Sequence, residues 1–409
     1  MEYHARHVEG LIQELLGELP ALLIVGPRAT GKTTTASRYA RTIVRLDRPA
    51  EAVAFRADPD AALRTLEEPV LLDEWQAVPE VLGAVKRSVD QDPSPGRYLL
   101  TGSVRADLEA ETWPGTGRVV RVPMYGLTVR EQLARAETTP FFDRVESGAE
   151  LTVPADAPDL RGYVEMALRS GFPEAALHLS QSARERWLGS YVDQLLTRDA
   201  AQLEGGRDPN RLRRYLEAYA LNSAGIVTEK TLFEAAGINR KTANAYERLL
   251  ANLLIVEAVP AWTSNRLKRL VLSPKQYLVD PALLAATLRL DVNGVLRDGD
   301  LLGRVTDTFV MAQIRAELAV SATRPRVYHL RTEQGRHEID VLGELAGRGI
   351  VAIEVKTQAA PDRESARHLS WLRERLGDRF VAGLVLHTGH RIYSLGDRVR
   401  AVPISTLWA

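Results

Sequence analysis

The chain has no cysteine among its 409 residues, which excludes disulfides and thiolate metal sites. Lysine is scarce. Only seven of the 53 basic residues are lysine, at positions 32, 86, 230, 241, 268, 275 and 356. In an arginine-rich background, a lysine marks a place where a compact ammonium is needed and a planar fork will not fit. Lys32 suits that idea, and Lys356 is a second case. Net charge is also missing: 53 basic residues balance 53 acidic ones, so whole-chain electrostatics argue neither for nor against nucleic acid. No apolar run approaches the length of a membrane span. The opening MEYHARHVEG lacks the charged-then-apolar layout of a signal peptide. These two absences imply no membrane partner and a cytoplasmic location. The length implies two or three domains, with a composition ordinary for globular protein.

The first positive signal is Gly26 to Thr33, GPRATGKT, after the apolar run Ala21 to Val25. This is G-x-x-x-x-G-K-[ST] between a buried strand and a helix, the context the motif requires. Its glycines let backbone N–H groups curl around a phosphate. Lys32 supplies a point charge, and the Thr33 hydroxyl can ligate Mg²⁺. The nucleotide-binding set is therefore Gly26, Pro27, Arg28, Ala29, Thr30, Gly31, Lys32, Thr33 and Thr34. A second signal, Val70 to Glu74, is an apolar strand ending in two carboxylates. Asp73 is expected in the Mg²⁺ shell and Glu74 as the general base for an attacking water. A third strand, Arg97 to Ser103, ends in hydroxyls, so Thr101 and Ser103 join the expected site. ATP and Mg²⁺ are the implied cofactors. From Ala21 to about Arg130, strands alternate with helices, as in a parallel αβα sheet.

Ala136 to Pro158 reads as a boundary. From Leu160 to about Ala251 the pattern is helical. Thr231–Ala236, a turn at Gly237, and Arg240–Leu253 have helix-turn-helix spacing. Strands near Ile255–Ala261 and Gln276–Val279 flank the basic tip Arg266–Arg269, as in a winged helix. Between Gly205 and Lys275 there are 12 Lys and Arg against 6 Asp and Glu, one basic neighbourhood suited to phosphates.

The last third turns to α/β. Asp340 lies in one strand of a hairpin, and Glu354-Val355-Lys356 ends the next. Alternation puts Glu354 and Lys356 on one face. Asp340 and Glu354 are thus a candidate hard-oxygen site for Mg²⁺, with Lys356 to orient water or stabilise a phosphoryl transition state. This D…E-x-K layout resembles the PD-(D/E)-x-K restriction-endonuclease-like superfamily.

Taken together, GPRATGKTT, LLDE, YLLTGS, Gly117-Arg118, SGFPEA, YVDQLLTRD, SPKQYLVD, HEIDVL, AIEVKT and VPISTLW extend the resemblance over almost the whole chain. It is similar to AAA-type ATPases (AAA_14-like) fused to the domain of unknown function 4143. The resemblance implies a multidomain α/β protein. Its parts are a P-loop AAA-type ATPase domain (1–140), a helical and winged-helix domain (141–295) and a restriction-endonuclease-like domain (296–409). It also implies a catalytic role for Arg118, as an arginine finger or γ-phosphate sensor, with Arg121 and Arg105 as competitors. Action of Arg118 in trans would require a homo-oligomer. The family's first acidic position in the last domain falls on Asp307, and a later one is replaced by Gln313, with Glu317 nearby. Lys275 and Asp280 are motif positions without an evident chemical role. The expected function is an ATPase controlling a DNA-acting, nuclease-like domain with double-stranded DNA as partner. The alternative is an ATP-driven switch with a silent nuclease-like domain that binds protein partners.

Overall fold

The computed structural model describes residues 3–103, 117–199, 208–264, 272–332 and 335–409. Its N-terminal sheet is β2-β3-β4-β1-β5, all parallel, formed by β1 (Ala21–Val25), β2 (Thr42–Arg45), β3 (Val70–Asp73), β4 (Tyr98–Gly102) and β5 (Val119–Pro123). A sheet covered by helices on both faces needs strands that are apolar throughout. Leu22 and Ile24 accordingly pack with Val8 and Ile12 on one face, while Leu23 packs with Val81 and Val85 on the other. Because β4 lies between β1 and β3, Thr101 sits between the loop after β1 and the acids ending β3. The helix after that loop is short: Lys32–Ala36, then a tight turn Ser37–Tyr39. Ser37 donates its hydroxyl back to the Thr33 carbonyl at 2.6 Å, a local bond that competes with continued α-helix. Helix Pro49–Ala57 is not expected from the sequence, although Pro at its first turn is a start signal.

The middle segment is helical, as expected. The two helices Glu229–Ala235 and Arg240–Asn252 flank Gly237, whose φ of 64° is the left-handed turn conformation. Asn239 caps the second helix, and Ala243, Tyr246, Leu249 and Leu250 form its buried face. The antiparallel ribbon of β6 (Val256–Val259) and β7 (Lys275–Leu278) follows. The basic tip Arg266–Arg269 lies outside the described residues, as does Arg105.

The C-terminal sheet runs β12-β13-β11-β10-β9-β8. Its strands are β8 (Arg326–Arg331), β9 (Glu338–Glu344), β10 (Ile350–Val355), β11 (Phe380–His387), β12 (Tyr393–Gly396) and β13 (Val399–Pro403). Helix Gly299–Glu317 precedes it and helix Arg367–Leu376 lies between β10 and β11. β12 and β13 are not expected from the sequence; both are short. The largest apolar cluster draws on residues from Val129 to Trp408. It runs across positions 140 and 295, while a separate cluster within the C-terminal segment holds Leu330, Ile339, Leu369 and Phe380, with Trp262 packed among them. Trp408 meets Tyr163 and Phe309 edge to face, joining the chain's end to helices on both sides of position 295.

The ribbon is bonded to the C-terminal sheet through β8. Trp262 N–H donates to the His329 carbonyl at 2.6 Å, and His329 N–H donates to the Pro260 carbonyl at 3.0 Å. The His329 ring is buried, with Nε2 3.1 Å from the Ser273 carbonyl and, among the described residues, no partner on Nδ1. Burial pushes its pKa down to about 4. A folded-state pKa below the unfolded value of about 6.5 means the unfolded chain binds the extra proton first. The stability His329 contributes is therefore present above pH 6.5 and is lost as pH falls toward 4. Denaturant midpoints at pH 7 and pH 5 are expected to fall further for the wild type than for His329→Gln; equal falls would refute this.

Candidate functional site

The loop after β1 is tightly seated. A Cβ on Gly26 would lie 1.8 Å from the Met124 carbonyl oxygen, so only glycine fits where the loop leaves the sheet. Gly31 has a φ of 90°, and Ala29 also adopts the left-handed region at 60°. Thr30 closes the turn by donating to the Pro27 carbonyl at 2.9 Å. The Lys32 ammonium donates to the Gly26 and Pro27 carbonyls at 3.0 and 2.7 Å. Burial pushes its pKa down to about 8, while Glu74 and Asp73 pull the other way. Thr33 donates to Asp73 Oδ1 at 2.7 Å, and the Thr101 hydroxyl donates to the same oxygen. Three elements separated in sequence thus converge on one carboxylate. Glu74 directly follows β3 with a φ of 53°, a conformation that costs a non-glycine residue about 1 kcal/mol or more. Its carboxylate accepts from Gln76. Ser103 is fully buried, and its hydroxyl has no hydrogen-bond partner among the described residues. Arg28 is half-buried and Thr34 is exposed. The Arg28 carbonyl accepts from the Tyr191 hydroxyl at 3.4 Å.

Arg118 is not brought to this loop within the chain. Val119 is in register with Ala21 and Pro123 with Val25, so Arg118 lies at the opposite end of the sheet. Four residues of strand span roughly 13 Å. There Arg118 pairs with Asp90. Arg121, opposite Leu23 in mid-strand, is exposed.

A buried network beside the loop has only one signal in the sequence, the Thr128-x-x-Glu131 spacing of a capping box. The short helix Val129–Gln132 carries that box. Glu131 Oε1 accepts from Arg6 Nε at 3.0 Å and from His7 N–H at 2.8 Å. Arg6 then donates to the Thr30 carbonyl in the loop at 2.8 Å and to the Tyr125 carbonyl at 2.7 Å. Burial opposes a charged Glu131, but Arg6, His7 and the backbone donors outweigh it and hold its carboxyl low. The neighbouring Arg130 pairs with Glu317 at 2.9 Å and donates to the Leu407 carbonyl at 2.6 Å. Val129 N–H donates to Gln313 at 2.8 Å. One helical turn thus reaches the loop through Glu131 by way of Arg6, and the C-terminal unit through Arg130. Gln313 and Glu317 belong to this junction, facing the first domain.

The second expected site has a different occupant. Asp340 on β9 and Glu354 on β10 do lie at adjoining strand positions: Asp340 Oδ2 accepts from Val355 N–H at 2.9 Å. Lys356 Nζ is 2.9 Å from Glu354 Oε2, and His368 Nδ1 is 3.5 Å from Glu354 Oε1. The other oxygen of Asp340 accepts from Lys275 at 2.9 Å, and the same ammonium is 2.5 Å from Asp307 Oδ2. Tyr277 donates to Asp307 Oδ1 at 3.1 Å. Lys275 is buried, with 3% of its side chain exposed. Desolvation alone would push the Lys275 ammonium down, but its two carboxylates hold it well above its usual value. Burial pushes Asp307 up to about 6 against the pull of Lys275. Asp340 has Lys275, the Val355 N–H and Lys356 working against burial and is held low. Among the described residues no group of three or more His, Asp or Glu is arranged to hold a metal ion. The Mg²⁺ centre expected at Asp340 and Glu354 does not fit this arrangement. Asp280, the other motif position, caps helix Pro281–Leu288 and binds Ser170 and Gly171 through Oδ2, both at 2.8 Å.

Comparison with known proteins matches three stretches of the chain to family models. Residues 18–133 match the family described as AAA domain, 160–293 match Domain of unknown function (DUF8612), and 302–407 match Domain of unknown function (DUF4143). Two curated relatives are the uncharacterized protein Rv2008c of Mycobacterium tuberculosis and the uncharacterized protein Mb2031c of Mycobacterium bovis. Each is 29% identical over 405 residues, covering 97% of this chain and 83% of the relative. A solved Walker-type ATPase of Pyrococcus abyssi aligns with a TM-score of 0.41 and 14% identity, over 70% of this chain and 96% of that one. The N-terminal segment is thus similar to AAA domains, and its Gly26–Thr33 loop has the sequence form of a P-loop. No helix of the described residues is long and apolar enough to cross a membrane.

The Arg6–Glu131 pair is buried on both sides, so removing one partner strands a charge, at a cost of about 3–5 kcal/mol. Glu131→Ala is expected to lose that much stability in urea unfolding. A loss under 1 kcal/mol would mean the pair is not stabilising the loop.

Proposed function

We propose that this protein is a Mg²⁺-dependent ATPase acting as an ATP-driven switch, in which the nucleotide state of the loop is passed to the unit formed by the middle and C-terminal segments. The observation that carries the reading is the path from Thr30 through Arg6 and Glu131 to Arg130, Glu317 and Leu407, which joins both ends of the molecule in buried polar contacts. The donor set suits the nucleotide: Lys32 for the phosphates, Thr33 and Asp73 as hard-oxygen ligands, and Thr101 and Ser103 beside them. Bound Mg²⁺ would supply charge neutralisation across the β- and γ-phosphates. Glu74, held beyond the strand end, would accept the proton of the attacking water at its carboxylate. Arg118 could serve a neighbouring subunit, since it lies away from its own loop.

Glu74→Gln is expected to bind ATP as the wild type does and to turn over about 10²- to 10⁴-fold more slowly. With ATP and Mg²⁺ trapped in this variant, hydrogen exchange should slow in residues 26–34 and also in Thr128–Gln132 and Gly299–Glu317. Adding Arg130→Met should confine the protection to the loop. Protection confined to the loop without that change would refute the switch.

A DNA-acting role is the second reading. It is supported by the helix-turn-helix and the local basic excess around it. The register of Asp340 and Glu354 supports a restriction-endonuclease-like ancestry for the last domain, which in this reading is kept without cleavage. Duplex DNA should then be retarded in a way that weakens steeply between 50 and 200 mM salt, at roughly one power of salt per phosphate contacted. Absence of salt-sensitive retardation would leave protein partners as the readout.

A further inference from the structure

Asp307 and Asp340 come from different elements of the C-terminal segment, the helix Gly299–Glu317 and β9. Together they make the kind of paired-carboxylate site that hard divalent cations occupy. All four of their oxygens are already engaged by protein donors. Asp307 Oδ2 and Asp340 Oδ1 take the Lys275 ammonium at 2.5 and 2.9 Å, Asp307 Oδ1 takes the Tyr277 hydroxyl, and Asp340 Oδ2 takes the Val355 N–H. The third carboxylate, Glu354, is neutralised separately by Lys356 with His368 close by. Of these carboxylate oxygens, Glu354 Oε1 alone has no hydrogen-bond partner among the described residues, so each oxygen of the Asp307–Asp340 pair meets a protein donor while one oxygen of Glu354 does not.

The lysine does not belong to the C-terminal segment. It is on β7, in the ribbon of the middle segment, and arrives with the Trp262–His329 backbone bonds and the buried Arg315–Glu257 pair, whose atoms lie 2.6 Å apart. The ammonium also lies 5.5 Å from the Tyr277 ring centroid. An arginine fork cannot converge three donors on one point as an ammonium does, which accounts for a lysine in this arginine-rich chain.

We propose that Lys275 is the resident cation of this centre: its ammonium takes the place of a divalent ion between Asp307 and Asp340, locks the middle segment onto the C-terminal sheet, and leaves the native chain without a metal site there. The centre then serves as an interdomain clasp. Withdrawing the ammonium would convert it to a divalent-cation site. This agrees with the switch reading but does not depend on the ATPase, and the two fail on different measurements.

The test is Mn²⁺ binding to the full chain without nucleotide, followed by electron paramagnetic resonance, for wild type, Asp340→Asn, Lys275→Gln and Lys275→Gln with Asp340→Asn. The wild type is expected to show no Mn²⁺ site that Asp340→Asn removes. Lys275→Gln is expected to gain one, at least tenfold tighter than any wild-type binding and absent from the double variant. Because Lys275→Gln strands two buried carboxylates and can unfold, its thermal midpoint is measured with and without Mn²⁺. A rise seen in this variant but not in the double variant supports the inference. Asp340-dependent Mn²⁺ binding by the wild type overturns it, leaving the Glu74→Gln outcome untouched. A Lys275→Gln chain that Mn²⁺ neither binds nor stabilises also overturns it.

Discussion

Adjacent residues on one short helix, Arg130 and Glu131, each bury a charge, and each charge is met by a partner from a distant part of the chain. Burying an unpaired charge is prohibitive, so both partners must be in place for that turn to exist in the interior. Arg6 comes from before the first strand and Glu317 from the helix before the C-terminal sheet. Arg6 also holds the Thr30 carbonyl. A displacement of the loop is therefore felt by a guanidinium that cannot lose its other contacts cheaply. Burial pushes the Glu317 carboxyl up even beside Arg130 and His7, so this side of the junction is the less firmly charged one.

The same rule governs the opposite junction. Lys275, Asp307 and Asp340 are the acidic and basic side chains of two segments satisfied across their boundary. The apolar cluster from Val129 to Trp408 gives that boundary its area, and the charge cluster gives it a single register. The nucleotide domain is attached differently. It has two apolar clusters, one on each sheet face, with Val320 packed against one of them, and its contacts with the rest include the close backbone approach of Gly126 to Gly171, the Tyr125–Glu257 hydrogen bond and the polar helix Val129–Gln132. A junction of buried, paired charges holds one arrangement, because separating either pair leaves a charge without its partner.

Much of this was legible in the residues. The strands of the first sheet follow from apolar runs ending in glycine, acid or hydroxyl, and the convergence of Lys32, Thr33, Asp73 and Thr101 follows from the motif spacing. The helix-turn-helix and the β9–β10 hairpin follow from periodicity and turn residues. The pattern did not reveal which charges are buried. Arg6 and Glu131 look like surface residues in a chain with 53 of each sign, and only their mutual distance distinguishes them. Arg118 shows the converse: its motif position implies a role at the phosphate, while strand register carries it to the other end of the sheet.

Local sequence alone determined the nucleotide loop, because its backbone geometry depends on glycines and a lysine at fixed short spacing. It also determined the alternation of strands and helices, which is a matter of period. The tertiary structure decided which charges the acids of the last third meet. Asp340 and Glu354 read as metal ligands while only neighbours in sequence are considered. The answer changes when a lysine 65 residues before Asp340 is packed against it. A carboxylate's role is set by the charge that reaches it through space, and that charge is invisible until the chain is folded.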